Sequence, residues 1–380
     1  MPVPSLMPTP SEPLPIRTLP PEARPTPLPD FALLSSALTV LAGSDTSGFQ
    51  DGNGEQAKFN EPKGLDIDSY GNLYVADTNN HTIRKISPQG DVTTFAGTGQ
   101  EGNSDGIGKN AQFRFPRYLT VDDKGQIFLI ETVKKLDRIY SGGIRKINAQ
   151  NEVSTIRLSL FDSLQTSFFS IFWHRKSNQF YVTSVDSVFS ITGESDAKKI
   201  VGKDVFSLEN SGLTGAVNSI KEIQERDRSL GRSIVERYPT SPFLSSVIVD
   251  ENDNIIVSDD NSHLLWKLTP RGQIFFLAGG AHFWWDERSV DGCGHLAGFY
   301  SFGYLTQDKA GYIYASDRKI IRKITPEGCV STIKIQGKSE SQTESIIQPS
   351  DLALDQVKNI LYILSENKIY KLDLNARAPS

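Results

Sequence analysis

Cysteine is nearly absent from this 380-residue chain, with only Cys293 and Cys329 present. Two cysteines exclude the disulfide framework that holds small secreted domains together. Long apolar runs are also missing. No stretch approaches the roughly 20 residues of a membrane-spanning helix, and Met1 is not followed by a signal-peptide core. Neither sign of charge dominates: 40 basic and 45 acidic residues leave a net −5, without the basic stripe that nucleic-acid binding needs. Proline is sparse except at the start, where residues 1–30 hold 11 of the 20. Proline removes a backbone donor and favours extended geometry, so 1–30 reads as a solvated, semi-stiff spacer. That leaves 31–376 as the folded region and 377–380 as a tail. The spacer favours an extracytoplasmic setting. Free thiols and the missing signal core favour the cytoplasm, so the compartment stays open.

What is present is repetition. Pro62 to Asp77, followed by Ile83-Arg84-Lys85-Ile86, a turn at Ser87-Pro88-Gln89-Gly90 and Val92 to Gly97, is the clearest copy of a phrase that returns six times. Further copies begin near Pro116, Phe169, Val247, Leu305 and Asp351. A period near fifty residues with four short strands per unit implies a radial array, because a lone four-stranded sheet cannot bury both faces. The expected fold is an all-β, six-bladed β-propeller. The sixth unit lacks its outer strand. Leu38-Thr39-Val40-Leu41-Ala42-Gly43 matches Val92 to Gly97, so the N-terminal strand is expected to complete the last blade and latch the ring.

Asp77-Thr78-Asn79-Asn80-His81-Thr82-Ile83 and Asp259-Asp260-Asn261-Ser262-His263-Leu264-Leu265 resemble the NHL repeat. The joins Asp51 to Phe59, Asp105 to Phe113 and Asp291 to Phe299 share D-G-x-G-x-x-A-x-F and resemble the bacterial form of that repeat. The resemblance covers Leu38 to about Asp373. It implies a propeller that serves as a recognition platform more often than as an enzyme. In the joins, the aspartate is expected to cap a turn, the glycines to allow positive φ, and the phenylalanine to wedge between blades. One recurring carboxylate per join is too few for calcium. His81 and His263 are expected to brace their loops.

With strands named a to d from the axis outward, the a–b and c–d turns share one face and are tight. The insertions fall on the other face: Glu131–Gly143 with Tyr140, 203–241 with an amphipathic helix pattern, and Gly280–Ser289 with Phe283, Trp284 and Trp285. Arg117, Tyr118 and Tyr304 stand at the neighbouring mouth of the axis. These seven residues form the expected ligand or partner site. The expected function is non-catalytic recognition of a protein or a small-molecule or glycan ligand by a monomeric propeller without cofactor. The alternative is a metal-dependent lactonase- or lyase-like propeller, for which only Glu61 and Asp351 offer carboxylates at the strand-a starts. Cys293, in a d–a connection, and Cys329, at a c–d turn, are placed on opposite faces as free thiols.

Overall fold

The computed structural model describes residues 38–135, 138–158, 167–193, 196–202, 242–279, 289–333 and 348–375. The helix pattern within 203–241 and the loop bearing Phe283, Trp284 and Trp285 lie outside them. Six antiparallel sheets form the six blades. In blade one, strand a is Gly64–Ile67, b is Leu73–Asp77, c is Thr82–Ile86 and d is Asp91–Ala96. Neighbouring blades pack face to face, so the cores lie between them. One cluster joins Leu65 and Val75 of blade one to Tyr362 and Leu364 of blade six. The ring closes as the repeat count requires. Thr39–Gly43 pairs with Lys368–Asp373, bringing Thr39 opposite Lys371 and Gly43 opposite Lys368.

Blades one, two and five each gain a fifth, outermost strand of two residues: Gly52–Asn53, Gly106–Ile107 and Gly292–Cys293. These are the three joins with the D-G-x-G pattern. Gly54, Gly108 and Gly294 take φ near +55°, where glycine is favoured, and turn the chain inward. Phe59, Phe113 and Phe299 then wedge between blades. The aspartates do something other than cap a turn. In each of these blades a strand-c arginine is fully buried: Arg84, Arg145 and Arg322. Each reaches the join aspartate (Asp51 at 2.7 Å, Asp105 at 2.9 Å, Asp291 at 3.0 Å) and a second carboxylate on or at the end of strand b (Asp77, Glu131, Asp317). Backbone carbonyls in and just before the join accept further Nη hydrogens, while each Nε has no acceptor among the described residues. The join phenylalanine lies 5.1–5.2 Å from the guanidinium carbon. Blades three, four and six show no extra strand among the described residues and carry Phe189, Trp266 and Tyr370 at the arginine position.

The extra strand also corrects the cysteine expectation. Because the join doubles back along strand d, Cys293 lies directly opposite Cys329, and the two form a disulfide. The equivalent pair in blade one, Asn53 and Asp91, is joined by a 2.7 Å hydrogen bond. Counting only four strands per blade placed the cysteines on opposite faces. We expect reduction, or Cys329→Ser, to lower stability by about 2–4 kcal/mol, since the bond closes a sizeable loop. Urea titration with and without dithiothreitol measures this; unchanged midpoints would contradict the pairing.

The Glu131–Gly143 insertion is a hairpin extension. Strands b (Ile127–Lys135) and c (Arg138–Ile147) of blade two lengthen and pair out to Lys135 and Arg138. Tyr140 lies opposite Val133 in this hairpin, and its side chain is outside the described set.

Candidate functional site

The inner strands leave unpaired edges toward the axis, where two layers of residues line the channel. Counting back from the residue that closes each a–b turn, the inner layer is Gly64, Tyr118, Ser170, Ser246, Tyr304 and Asp351. Two residues further along each strand, the outer layer is Asp66, Thr120, Phe172, Ile248, Thr306 and Ala353, although Ile248 and Ala353 are buried between blades and, like Gly64, are not part of the cavity wall. Tyr118 and Tyr304 come from opposite blades. Their rings meet across the axis with centroids 6.1 Å apart and form the inner end of the channel. Burial and the neighbouring Tyr118 push the Tyr304 hydroxyl well above its usual range. From this floor a cavity of about 470 Å³ runs to the a–b turns, reaching Tyr70, Asp123, Arg175, Glu251, Lys309 and Lys358. That volume suits a small ligand. The cavity opens on the face opposite the long insertions.

The free N–H groups of the inner strands are stitched from blade to blade by side-chain acceptors. In the inner layer, Asp351 Oδ2 accepts from Leu65 N at 2.7 Å, Ser170 Oγ from Val247 N at 3.4 Å and Ser246 Oγ from Leu305 N at 3.2 Å. In the outer layer, Asp66 Oδ2 accepts from Val121 N at 2.7 Å, and Thr120 Oγ1 accepts from Trp173 N at 3.1 Å. Hydroxyls therefore serve at three of these five junctions. Asp66 and Asp351 do the same task with a charge that the fold does not need. No described lysine, arginine or histidine forms an ion pair with either. Both keep some exposure to the cavity, yet enough protein surrounds them to matter. Burial pushes the Asp66 carboxyl up to about 6 despite three hydrogen bonds, and holds Asp351 well above the ordinary carboxylate range.

The Asp66 shift has a sign that can be measured. The folded state binds this proton more tightly than the unfolded chain, so its contribution is full below about pH 4 and is lost as pH rises through about 6. Asp66→Thr, which installs the blade-two residue, should flatten the fall of stability across that window by up to about 3 kcal/mol. Chemical denaturation from pH 4 to pH 7 provides the check; identical slopes would contradict the placement.

Other carboxylates at the rim have structural duties. Asp68, Asp308 and Asp355 close their a–b turns through backbone N–H groups. Asp123 pairs with Arg175 at 2.5 Å. In blade three His174 replaces the turn aspartate and contacts Ser177 Oγ at 2.9 Å; burial lowers its proton affinity.

Of the expected site residues, Tyr118 and Tyr304 are brought together, but as the cavity floor. Arg117 is outside the cavity lining, with its guanidinium 5.8 Å from the Tyr118 ring and its Nε without an acceptor among the described residues. Glu61 sits on an exposed turn at φ 48°, at the far end of strand a from the cavity mouth. His81 braces its loop by accepting from Phe115 N at 3.2 Å, and the Asn80 amide is spent on Gly48 O and Asp77. The oxygens of Asp66 and Asp351 already face N–H and O–H donors, and no group of three or more His, Cys, Asp or Glu converges among the described residues. This donor set does not fit a divalent ion.

A family model for the NHL repeat matches residues 59–86, which contain the first strand a, strand b and the Asn80-His81 brace. The chain carries an NHL repeat within a six-bladed β-propeller. The propeller shares 34% identity over 108 residues, 26% of its length, with Protein SUPPRESSOR OF QUENCHING 1, chloroplastic, from Arabidopsis thaliana. It shares 48% over 61 residues, 16% of its length, with NHL repeat-containing protein 2 of Gallus gallus. The matches cover only 10% and 8% of those proteins. Among solved structures, an auxiliary nutrient binding protein from Bacteroides thetaiotaomicron is similar at TM-score 0.57 and 14% identity, covering 88% of this chain and 75% of that one. A gluconolactonase from Xanthomonas campestris is similar at TM-score 0.55 and 11% identity, covering 96% and 98%. At such identities the likeness shows the fold alone, and this fold hosts both binding and catalysis.

Proposed function

We propose that this NHL propeller is a non-catalytic recognition module that holds a small-molecule ligand in its axial cavity. The observation that carries this reading is the pair Asp66 and Asp351. They stand where serine or threonine meets the structural need in sister blades, and they line a ligand-sized cavity. Carboxyls whose proton affinity is raised by burial, set in the wall of a cavity, mark a candidate binding site. The metal-dependent lactonase alternative finds no matching donor set among the described residues.

The opposite face serves a protein partner in this reading. The blade-two hairpin with Tyr140 stands there, with Arg117 beside it, and Phe283, Trp284 and Trp285 belong to an insertion on the same side. Adjacent indoles supply contact area at small entropic cost.

Thr306→Trp tests the cavity. Thr306 lines it and is partly exposed there. In a thermal-shift screen of small metabolites, compounds that stabilise the wild type should lose their effect on this variant. Hits that stabilise both proteins equally would place the site elsewhere, and an empty screen would remove the reading.

A further inference from the structure

The cavity wall also constrains the charge of its occupant. Its lining holds seven carboxylates (the axial pair and the rim Asp68, Asp123, Glu251, Asp308 and Asp355) against three cationic side chains, Arg175, Lys309 and Lys358. Arg175 is neutralised by Asp123, and Lys358 lies 3.4 Å from Asp355. The inner half therefore presents acceptors without a counter-charge. An anion is repelled there. A neutral ligand leaves the two carboxyls without a charge partner, whereas a cation removes the cost of burying them. Aromatic surface completes the wall, with Tyr70, Tyr118, Phe172, Trp173 and Tyr304. Trp173 is only partly buried, and its other contacts include the Phe180 ring, 4.7 Å away between centroids. Tyr70 is 83% exposed at the mouth, although apolar area is not needed at the tip of a tight turn. Aromatic faces attract cations that carboxylates also favour.

We propose that the axial cavity binds a small organic cation, with its ammonium group held by Asp66 and Asp351 and its body packed on the aromatic wall. This deepens the reading above and rests on it. Asp351 belongs to blade six and Asp66 to blade one, which are neighbours across the latch. The two carboxyls are close enough for the charge of Asp66 to raise the proton affinity of Asp351. The charge selects the class of ligand. The aromatic rings tolerate a range of frames.

Three compounds of one frame test the proposal on the full chain: 2-phenylethylamine, 2-phenylethanol and phenylacetate, titrated by calorimetry. The amine should bind saturably, the alcohol at least about tenfold more weakly, and the acid not at all. Asp351→Ser and Asp66→Thr install the residues that sister blades already use, so both should fold. Each should weaken the amine about tenfold and leave the alcohol nearly unchanged. Carbon-13 titration of Asp66 should show its protonation moving to lower pH when the amine is bound, because a nearby cation favours the carboxylate. An alcohol or acid that binds as tightly as the amine, and is lost in Thr306→Trp, overturns the cation inference and keeps the cavity as the site. An amine that binds equally to Thr306→Trp overturns both. Absence of saturable amine binding overturns the cation inference.

Discussion

Replacing Arg84 by methionine is expected to destabilise the propeller by about 3–5 kcal/mol, a large share of the stability of a typical domain. The guanidinium is fully buried and binds Asp77 at 2.7 Å, Asp51 at 2.7 Å and the carbonyls of Lys58 and Gln50. Asp77 is equally buried, so the substitution leaves a carboxylate without its cation inside the protein. The loss extends past the pair, because Asp51 fixes the join that carries Phe59 between blades one and six. Blades three, four and six place an aromatic residue at this position and have no such join, which indicates that arginine and join are one unit. Urea denaturation measures the change. A cost below about 1 kcal/mol would show that the buried network is incidental.

Truncation at the N-terminus should divide sharply within a few residues. Removing 1–30 is expected to leave the melting temperature nearly unchanged, since that proline-rich stretch has no sequence pattern for packing. Removing 1–43 deletes the strand paired with Lys368–Asp373 and takes away buried Ala42 from the core between blades six and one. It also breaks the Lys368–Asp45 ion pair's local setting and exposes an open sheet edge. A drop of at least about 10 °C is expected, because ring closure couples the first and last blades. Equal melting temperatures for the two truncations would sink the closure.

Most of the fold was legible because period-two strands, turn glycines and the recurring D-G-x-G signature are local in sequence. The latch followed from a missing strand at one end and a surplus one at the other. The fifth strands were hidden: two residues, Gly292–Cys293, are too short to show a strand period, and the disulfide was lost with them. The I-R-K-I repetition at Arg84, Arg145 and Arg322, always with a D-G-x-G join and never without it, held the signal for the buried network. The cavity was hardest to read. Asp66 looked like an ordinary strand residue, and its meaning appears only beside Thr120, which does the same work without charge. Asp351 stood out in the sequence only as a carboxylate of the metal-dependent alternative, and it faces backbone N–H groups. The paired cysteines also withdraw the free-thiol argument for a reducing compartment, since such bonds persist in oxidising settings.

The central claim is that recognition of a small molecule occurs at the axis, through the face of the tight a–b turns. Crystallographic fragment screening tests it most directly, because it reports position without knowledge of the ligand. Fragments should accumulate between the Tyr118–Tyr304 floor and the Tyr70 rim, with amine-bearing ones against Asp66 and Asp351. Fragments that gather beside Arg117 on the insertion face, with the axial cavity empty across the screen, would contradict it.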